Sequence, residues 1–248
     1  MSAKGERADR LLVARGLTGS RERARRLILA GEVWSNDRRI AKASDTLPLD
    51  APLEVRGADI PFVSRGGLKL EAAIEHWKID VHGSTAVDAG ASTGGFTDCL
   101  LKHGANRIFA IDVGYGQLAW GLRQDPRVQL FERTNVRHFD PERLGTLVDI
   151  VVGDLSFISL KLVLPVMQKM VRPGGLLLAL VKPQFEVGKG QVGKGGVVRD
   201  VAEREATVAA IRSFGEGLEL ECRGSFLCPI EGPKGNREYF LLFDKPAA

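Results

Sequence analysis

The chain has little of what marks a secreted, metal-bound or membrane-spanning protein. Its three cysteines, Cys99, Cys222 and Cys228, fall in no Cys-x-x-Cys pair, so neither a disulfide framework nor a thiolate metal site is expected. The histidines, His76, His82, His103 and His138, are scattered, and no metal is expected. The stretch Met1-Ser2-Ala3-Lys4-Gly5-Glu6-Arg7 lacks the apolar core of a signal peptide. The longest uninterrupted aliphatic run, Leu176 to Val181, is far shorter than the roughly 20 residues that span a bilayer. A soluble, cytoplasmic protein with reduced thiols is the expectation.

With 248 residues and 44% hydrophobic content, the chain can pack two small domains, or one α/β domain together with an appendage. The net charge is +4, unevenly spread: residues 1–42 hold 11 Lys/Arg against 5 Asp/Glu, whereas the remainder is slightly acidic. A basic front end on a near-neutral body points to a polyanionic partner held by the front.

The chemistry begins at Val87-Asp88-Ala89-Gly90-Ala91-Ser92-Thr93-Gly94-Gly95-Phe96. An apolar strand enters a glycine-rich bend, a helix follows, and a second strand, Ile108 to Ile111, ends at Asp112. Glycine lets the backbone turn sharply and approach a ligand. Asp112, 24 residues after Asp88, has the spacing of an acid that reaches nucleoside ribose hydroxyls. A dinucleotide fingerprint needs a glycine where Ala91 and Ser92 stand, to admit a pyrophosphate. A cofactor without pyrophosphate fits better, and S-adenosylmethionine is the expected one. A tight strand-to-helix turn that binds nothing is the plainer alternative.

Strand and helix patterns then alternate, as in a doubly wound parallel sheet. Val148 to Gly153 is a strand ending at Asp154. Leu162 to Met170 is a helix stopped at Arg172-Pro173-Gly174-Gly175, and Leu176 to Val181 is a strand ending at Lys182. Ligands in such sheets sit beyond the carboxyl ends of strands, so Gly90, Asp112, Asp154 and Lys182 should line one crevice. Leu218 to Leu227 and Glu238 to Phe243 suggest an antiparallel hairpin at the sheet's edge.

The first sixty residues form a separate unit in this reading. Ser20 is a plausible N-cap for a helix from Arg21 to Ala30, and Gly31 is its stop. Val33 to Ile40 reads as a hairpin turning at Asn36-Asp37. The runs Arg10-Leu11-Leu12-Val13-Ala14-Arg15-Gly16-Leu17, Ser20-Arg21-Glu22-Arg23-Ala24 and Leu27-Ile28-Leu29-Ala30-Gly31-Glu32-Val33 resemble the S4-type RNA-binding domain. That resemblance implies RNA phosphate contacts from Arg7, Arg10, Arg15, Arg21, Arg23, Arg25 and Arg26. A merely solvated charged helix is the alternative.

The body resembles the FtsJ-type ribose 2′-O-methyltransferases, and the whole chain is similar to the TlyA rRNA methyltransferase family, also called hemolysin A. The matching runs are Ser64 to Leu70, Asp88 to Phe96, Gly153-Asp154-Leu155-Ser156-Phe157-Ile158-Ser159-Leu160 and Val181-Lys182-Pro183-Gln184-Phe185-Glu186. The resemblance implies an α/β fold: a Rossmann-like S-adenosylmethionine-dependent methyltransferase with a small N-terminal α+β S4-like domain. The expected division is 1–58 for the S4-like domain, 59–66 for a linker and 67–248 for the methyltransferase.

The family's catalytic tetrad maps onto Lys69, Asp154, Lys182 and Glu238, with Lys182 expected to activate a ribose hydroxyl and Asp154 to orient it. Asp88, Gly90, Ser92, Thr93, Gly94, Gly95, Phe96, Asp112 and Asp154 would hold S-adenosylmethionine. Other acceptors fit less well. Asp154-Leu155-Ser156-Phe157 stands where exocyclic-amine methyltransferases carry an acid–Pro–Pro–aromatic motif, and no Pro-Cys occurs for attack on a pyrimidine carbon. Lys189 and Lys194 lie in a run with five glycines, Gly188 to Gly196, read as a lid that orders on RNA or as a flexible loop. Trp34, Trp77 and Trp120 read as core or interface residues. The partner expected is rRNA in ribosomal subunits. A membrane-active hemolysin and a non-catalytic ribosome-binding factor are the alternatives.

Overall fold

Apolar residues collect into separate cores in the front and the body of the chain. The computed structural model describes residues 5–55, 60–187, 193 and 195–247, and the chain divides into the units Met1–Ser64 and Arg65–Ala248.

In the first unit the order is β1 (Gly5–Arg7), α1 (Ala8–Ala14), α2 (Arg21–Ala30), β2 (Val33–Ser35), β3 (Arg38–Arg39), β4 (Thr46–Pro48) and β5 (Glu54–Val55). Ser20 caps α2 as expected: its hydroxyl accepts the Arg23 N–H at 3.2 Å, satisfying one of the donors a helix start leaves over. Gly31 ends the helix in the left-handed region, φ +78°. The hairpin β2–β3 turns at Asn36, also left-handed at φ 53°. Ala8, Leu12, Ala24, Ile28, Val33 and Ile40 form the core of this unit. β1 pairs with β4, a long-range pairing that no local pattern announces.

The second unit runs α3 (Arg65–Trp77), β6 (Thr85–Ala89), α4 (Gly95–Lys102), β7 (Arg107–Ile111), α5 (Trp120–Arg123), β8 (Val128–Phe131), β9 (Val148–Gly153), α6 (Leu164–Met170), β10 (Val171–Val181), α7 (Pro183–Glu186), α8 (Val201–Glu216), β11 (Glu221–Leu227) and β12 (Tyr239–Asp244). One seven-stranded sheet has the order β11-β12-β10-β9-β6-β7-β8. β10, β9, β6, β7 and β8 are parallel, and β12 lies antiparallel between β10 and β11. The chain leaves β6 toward β7 and β8 and later returns to its other side with β9, so the order reverses between β6 and β9. Such a reversal opens a crevice at the carboxyl ends of the strands. Val87, Phe109, Val151, Leu177 and Leu241, with Met167 from α6, are wholly buried in the core of this sheet.

Three boundaries differ from expectation. α3 starts at Arg65 and takes in Gly66 and Gly67, so the last two residues assigned to a linker are helical. α6 starts at Leu164, after a separate 3-10 turn at Leu160–Leu162. The Pro173-Gly174-Gly175 segment does not precede the strand but lies inside it. β10 pairs with β9 from Val171, shifts register before Leu176, and holds Gly174 at φ 72°, so proline and glycine here make a bulge. No described helix is long and apolar enough to cross a membrane.

Candidate functional site

Four residues expected in one crevice each stand immediately after a strand of the parallel set: Gly90 after β6, Asp112 after β7, Asp154 after β9 and Lys182 after β10. Gly90 has φ +87°, and a Cβ there would lie 2.7 Å from the Asp154 carbonyl oxygen. Only glycine lets the loop pass flush against the end of β9. Gly94, at φ +96°, is the N-cap of α4 and has no side chain to cap it; of the first-turn N–H groups, that of Thr97 is taken by the Asp88 carboxylate. Between these glycines Ser92 is exposed and Thr93 half-buried, while Gly95 and Phe96 turn inward.

Asp112 is fixed by backbone donors: Ser92 N–H reaches Oδ2 at 2.8 Å and Gly114 N–H reaches Oδ1 at 2.6 Å. Each oxygen keeps a second lone pair for another donor. Asp88 behaves differently. It is wholly buried, its Oδ2 accepts the Thr97 hydroxyl at 2.7 Å, and its Oδ1 has no hydrogen-bond partner among the described residues. Burial pushes the Asp88 carboxyl up to about 7, against the Thr97 bond, and nearby Asp154 adds to the rise.

The second cluster is a pair of lysine–carboxylate contacts. Lys69 Nζ lies 2.6 Å from Glu238 Oε2, with Glu238 fully buried. Lys182 Nζ lies 2.6 Å from Asp154 Oδ1 and donates to Ser156 Oγ at 2.7 Å. Burial works against the Lys69 ammonium, but the Asp154 and Glu238 carboxylates outweigh it and hold Lys69 above the usual lysine value. Asp154 therefore acts on both lysines, one by contact and one by its field. The Gln184 amide reaches Glu238 Oε1 at 3.5 Å. A Cβ at Gly232 would collide with the Glu238 carboxylate, so that acid sits against bare backbone.

Several residues are given no role of their own in the site by the sequence. Phe157 is 89% exposed, adopts φ 63° and lies 4.9 Å from the Phe185 ring, centroid to centroid. Glu186 ties the loop after β9 to α7: its carboxylate accepts the Leu160 N–H at 2.7 Å and the Ser159 hydroxyl at 2.6 Å. Burial raises the Glu186 carboxyl above its ordinary value, and these two bonds oppose the rise. Trp120, expected in a core or interface, is 64% exposed in this chain, because it opens the short helix α5 outside the sheet.

In the first unit the basic residues are not a uniform fringe. Arg7, Arg21 and Arg25 all contact Asp9. Arg10 lies 3.7 Å from Glu6, and Arg15 donates to the carbonyls of Leu49 and Ala51, a role within the fold. The Arg23 N–H belongs to the Ser20 cap. The Arg26 side chain, Lys189 and Lys194 lie outside the described residues, as does most of the glycine-rich run read as a lid.

Comparison with known proteins agrees with this layout. The family model described as FtsJ-like methyltransferase matches residues 62–245, and the S4 domain model matches residues 6–51. The chain is 49% identical over 243 residues to the 16S/23S rRNA (cytidine-2′-O)-methyltransferase TlyA of Mycobacterium tuberculosis, covering 96% of this chain and 90% of that protein. It is 38% identical over 238 residues to Hemolysin A of Brachyspira hyodysenteriae, covering 96% and 99%. A solved structure of a hemolysin-named protein from Streptococcus thermophilus superimposes with a TM-score of 0.77 at 39% identity, covering 99% of this chain and 90% of that one. The chain thus belongs to the FtsJ-like methyltransferase family, among its S4-bearing members named TlyA or hemolysin A, and its body has the Rossmann-like fold of S-adenosylmethionine-dependent methyltransferases.

Proposed function

We propose that this methyltransferase uses S-adenosylmethionine to methylate a ribose 2′-hydroxyl of rRNA, at a cytidine, within ribosomal subunits. The observation that carries the reading is the pairing Lys182–Asp154 beside Lys69–Glu238, at the strand ends where the glycine loop also opens. The relatives' names supply the substrate class.

The residues at the loop fit the cofactor. Asp112 keeps acceptor capacity for ribose hydroxyls. The uncapped start of α4 suits a carboxylate, and the Gly90 close approach leaves backbone rather than side chain on the crevice floor. Ser92 and Thr93 flank that floor. Asp88, buried beneath it, supports the loop through Thr97. When bound, S-adenosylmethionine supplies an electrophilic methyl group.

The protein's own part is orientation and charge. Lys182 donates to Ser156 Oγ and is ion-paired with Asp154, which leaves it N–H donors for the 2′-oxygen of a ribose in the crevice. Lys182 yields one proton to the Asp154 carboxylate paired with it and takes the proton of the hydroxyl in its place, leaving the ribose oxygen as the nucleophile. Lys69 stays an ammonium, neutralised by Glu238, and steadies the ribose. Holding the hydroxyl in line in this way removes much of the orientational barrier. The exposed Phe157 ring offers a face to the target base once that nucleotide leaves its stack. The S4 unit docks the RNA. This reading places the protein in the cytoplasm, with the subunits it modifies.

The test is transfer of labelled methyl from S-adenosylmethionine to unmodified ribosomal subunits and to naked rRNA, followed by nucleoside digestion. Label in 2′-O-methylcytidine is expected. Folded, cofactor-binding protein that labels neither substrate refutes the reading.

A further inference from the structure

Asp9 has no exposed side-chain surface, yet it stands on the basic face of the first unit. Arg7 reaches it through Nε at 2.9 Å and Nη2 at 3.1 Å. Arg21 donates from Nη2 at 3.1 Å and Arg25 from Nε at 3.2 Å. The three arginine side chains remain 37%, 46% and 57% exposed. They come from two places in the chain: Arg7 stands immediately before α1, while Arg21 and Arg25 lie one turn apart on α2.

One buried carboxylate has gathered three guanidiniums, with Glu6 acting on Arg7 as a weaker second acid. A single partner would suffice to accompany the buried acid, and half-exposed pairs contribute little stability. The second and third guanidiniums add mutual repulsion at close quarters. Each carries five N–H donors in a planar fork, and the four bonds to Asp9 leave most of them unused. The surplus is relieved by an outer anion with several acceptor oxygens, and guanidinium forks match phosphate geometry. The S4 match over residues 6–51 makes that anion part of an RNA.

We propose that Asp9 is a positioning residue that sets Arg7, Arg21 and Arg25 into one site for an RNA backbone phosphate. The proposal rests on the reading of this chain as an rRNA-binding methyltransferase and adds how the docking face is organised. Asp9 lowers the net charge of the face and still strengthens binding, because it fixes the direction of three forks before RNA arrives.

The test is filter binding of end-labelled 16S and 23S rRNA by the full chain across a salt series. Asp9→Asn adds one unit of positive charge, so a face acting by charge alone would bind more tightly. The expected result is instead a loss of about threefold to tenfold, with a shallower dependence on salt. Arg25→Lys, which keeps the charge and loses the fork, is expected to weaken binding by a similar factor. It decides the matter where thermal unfolding shows that Asp9→Asn has lost the fold of the unit. Unchanged or tighter binding by Arg25→Lys, or by folded Asp9→Asn, overturns the proposal. Should Arg21→Gln with Arg25→Gln abolish binding while folded Asp9→Asn does not, RNA docking stands and the role of Asp9 falls. If none of these variants changes rRNA binding, this face is not the docking surface at all. Loss of binding to phosphatidylglycerol vesicles without loss on rRNA would likewise overturn it in favour of a membrane surface.

Discussion

Asp9 in the first unit and Asp154 in the second are both acids set among several cations, but the two clusters are built to opposite rules. Around Asp9 stand three arginines, permanently charged, half-exposed and in surplus. Around Asp154 stand two lysines balanced by a second acid, Glu238, and both lysines are at most one-tenth exposed. A surplus of rigid forks at the surface suits holding a polyanion, whose charge completes the count. A balanced, dry set of compact ammonium groups suits aiming one donor at one atom. Affinity and turnover should therefore separate cleanly between the clusters.

The sharpest test of that separation is Lys182→Ala. Turnover at saturating rRNA is expected to fall about a hundredfold to ten-thousandfold, with rRNA affinity intact, as read by single-turnover methyl transfer beside equilibrium binding. A variant that loses affinity and keeps its rate would erase the contrast. Next is Glu238→Ala, which strands the buried Lys69 charge. Removing one partner of a buried pair costs about 3–5 kcal/mol, so a marked drop in melting temperature is expected together with loss of activity. Gly232→Ala probes the same pair more gently: the new Cβ pushes the Glu238 carboxylate off its seat, and a loss of about tenfold in kcat with a smaller melting shift is expected.

Glu186→Gln should be milder still. It weakens the tie between α7 and the loop that carries Ser159 and Leu160, so the KM for rRNA is expected to rise about threefold, with cofactor affinity unchanged by calorimetry. A separate test concerns pH. Asp88 holds its proton more tightly folded than unfolded, so the wild type loses stability as pH rises from the ordinary carboxyl value of 3.8 toward about 7. Asp88→Asn escapes that loss. The melting-temperature gap should shift in the variant's favour across this window and level off above it. A gap constant with pH would show that Asp88 titrates alike in both states.

Much of this was legible in the chain because the signals are local. The Ser20 cap and Gly31 stop bracket α2, the Asn36 turn makes the hairpin, and Gly90, Asp112, Asp154 and Lys182, which follow β6, β7, β9 and β10, stand after apolar runs of strand length. The tetrad came through resemblance, since Lys69 and Glu238 share no spacing that periodicity could detect. What stayed hidden depends on contacts across long separations. Nothing near Asp9 predicts that it will collect Arg21 and Arg25, which were read as facing solvent or a partner. Pro173-Gly174-Gly175 looked like a stop because local propensity cannot see that β9 holds Val171 in register beforehand. The Glu186 tie and the Gln184 contact are likewise visible only once the loops are folded.

The insertion of β12 between β10 and β11 has a consequence for the order in which the protein matures. Lys69 and Glu238 are 169 residues apart, and β12 follows every other described strand while occupying an inner place in the sheet. Synthesis adds about 5–20 residues per second, so Lys69 emerges many seconds before the acid that neutralises it. A growing chain that has completed β11 still has a slot beside β10, and its crevice lacks one wall. The Lys69–Glu238 pair therefore closes only after β12 has taken its place between β10 and β11.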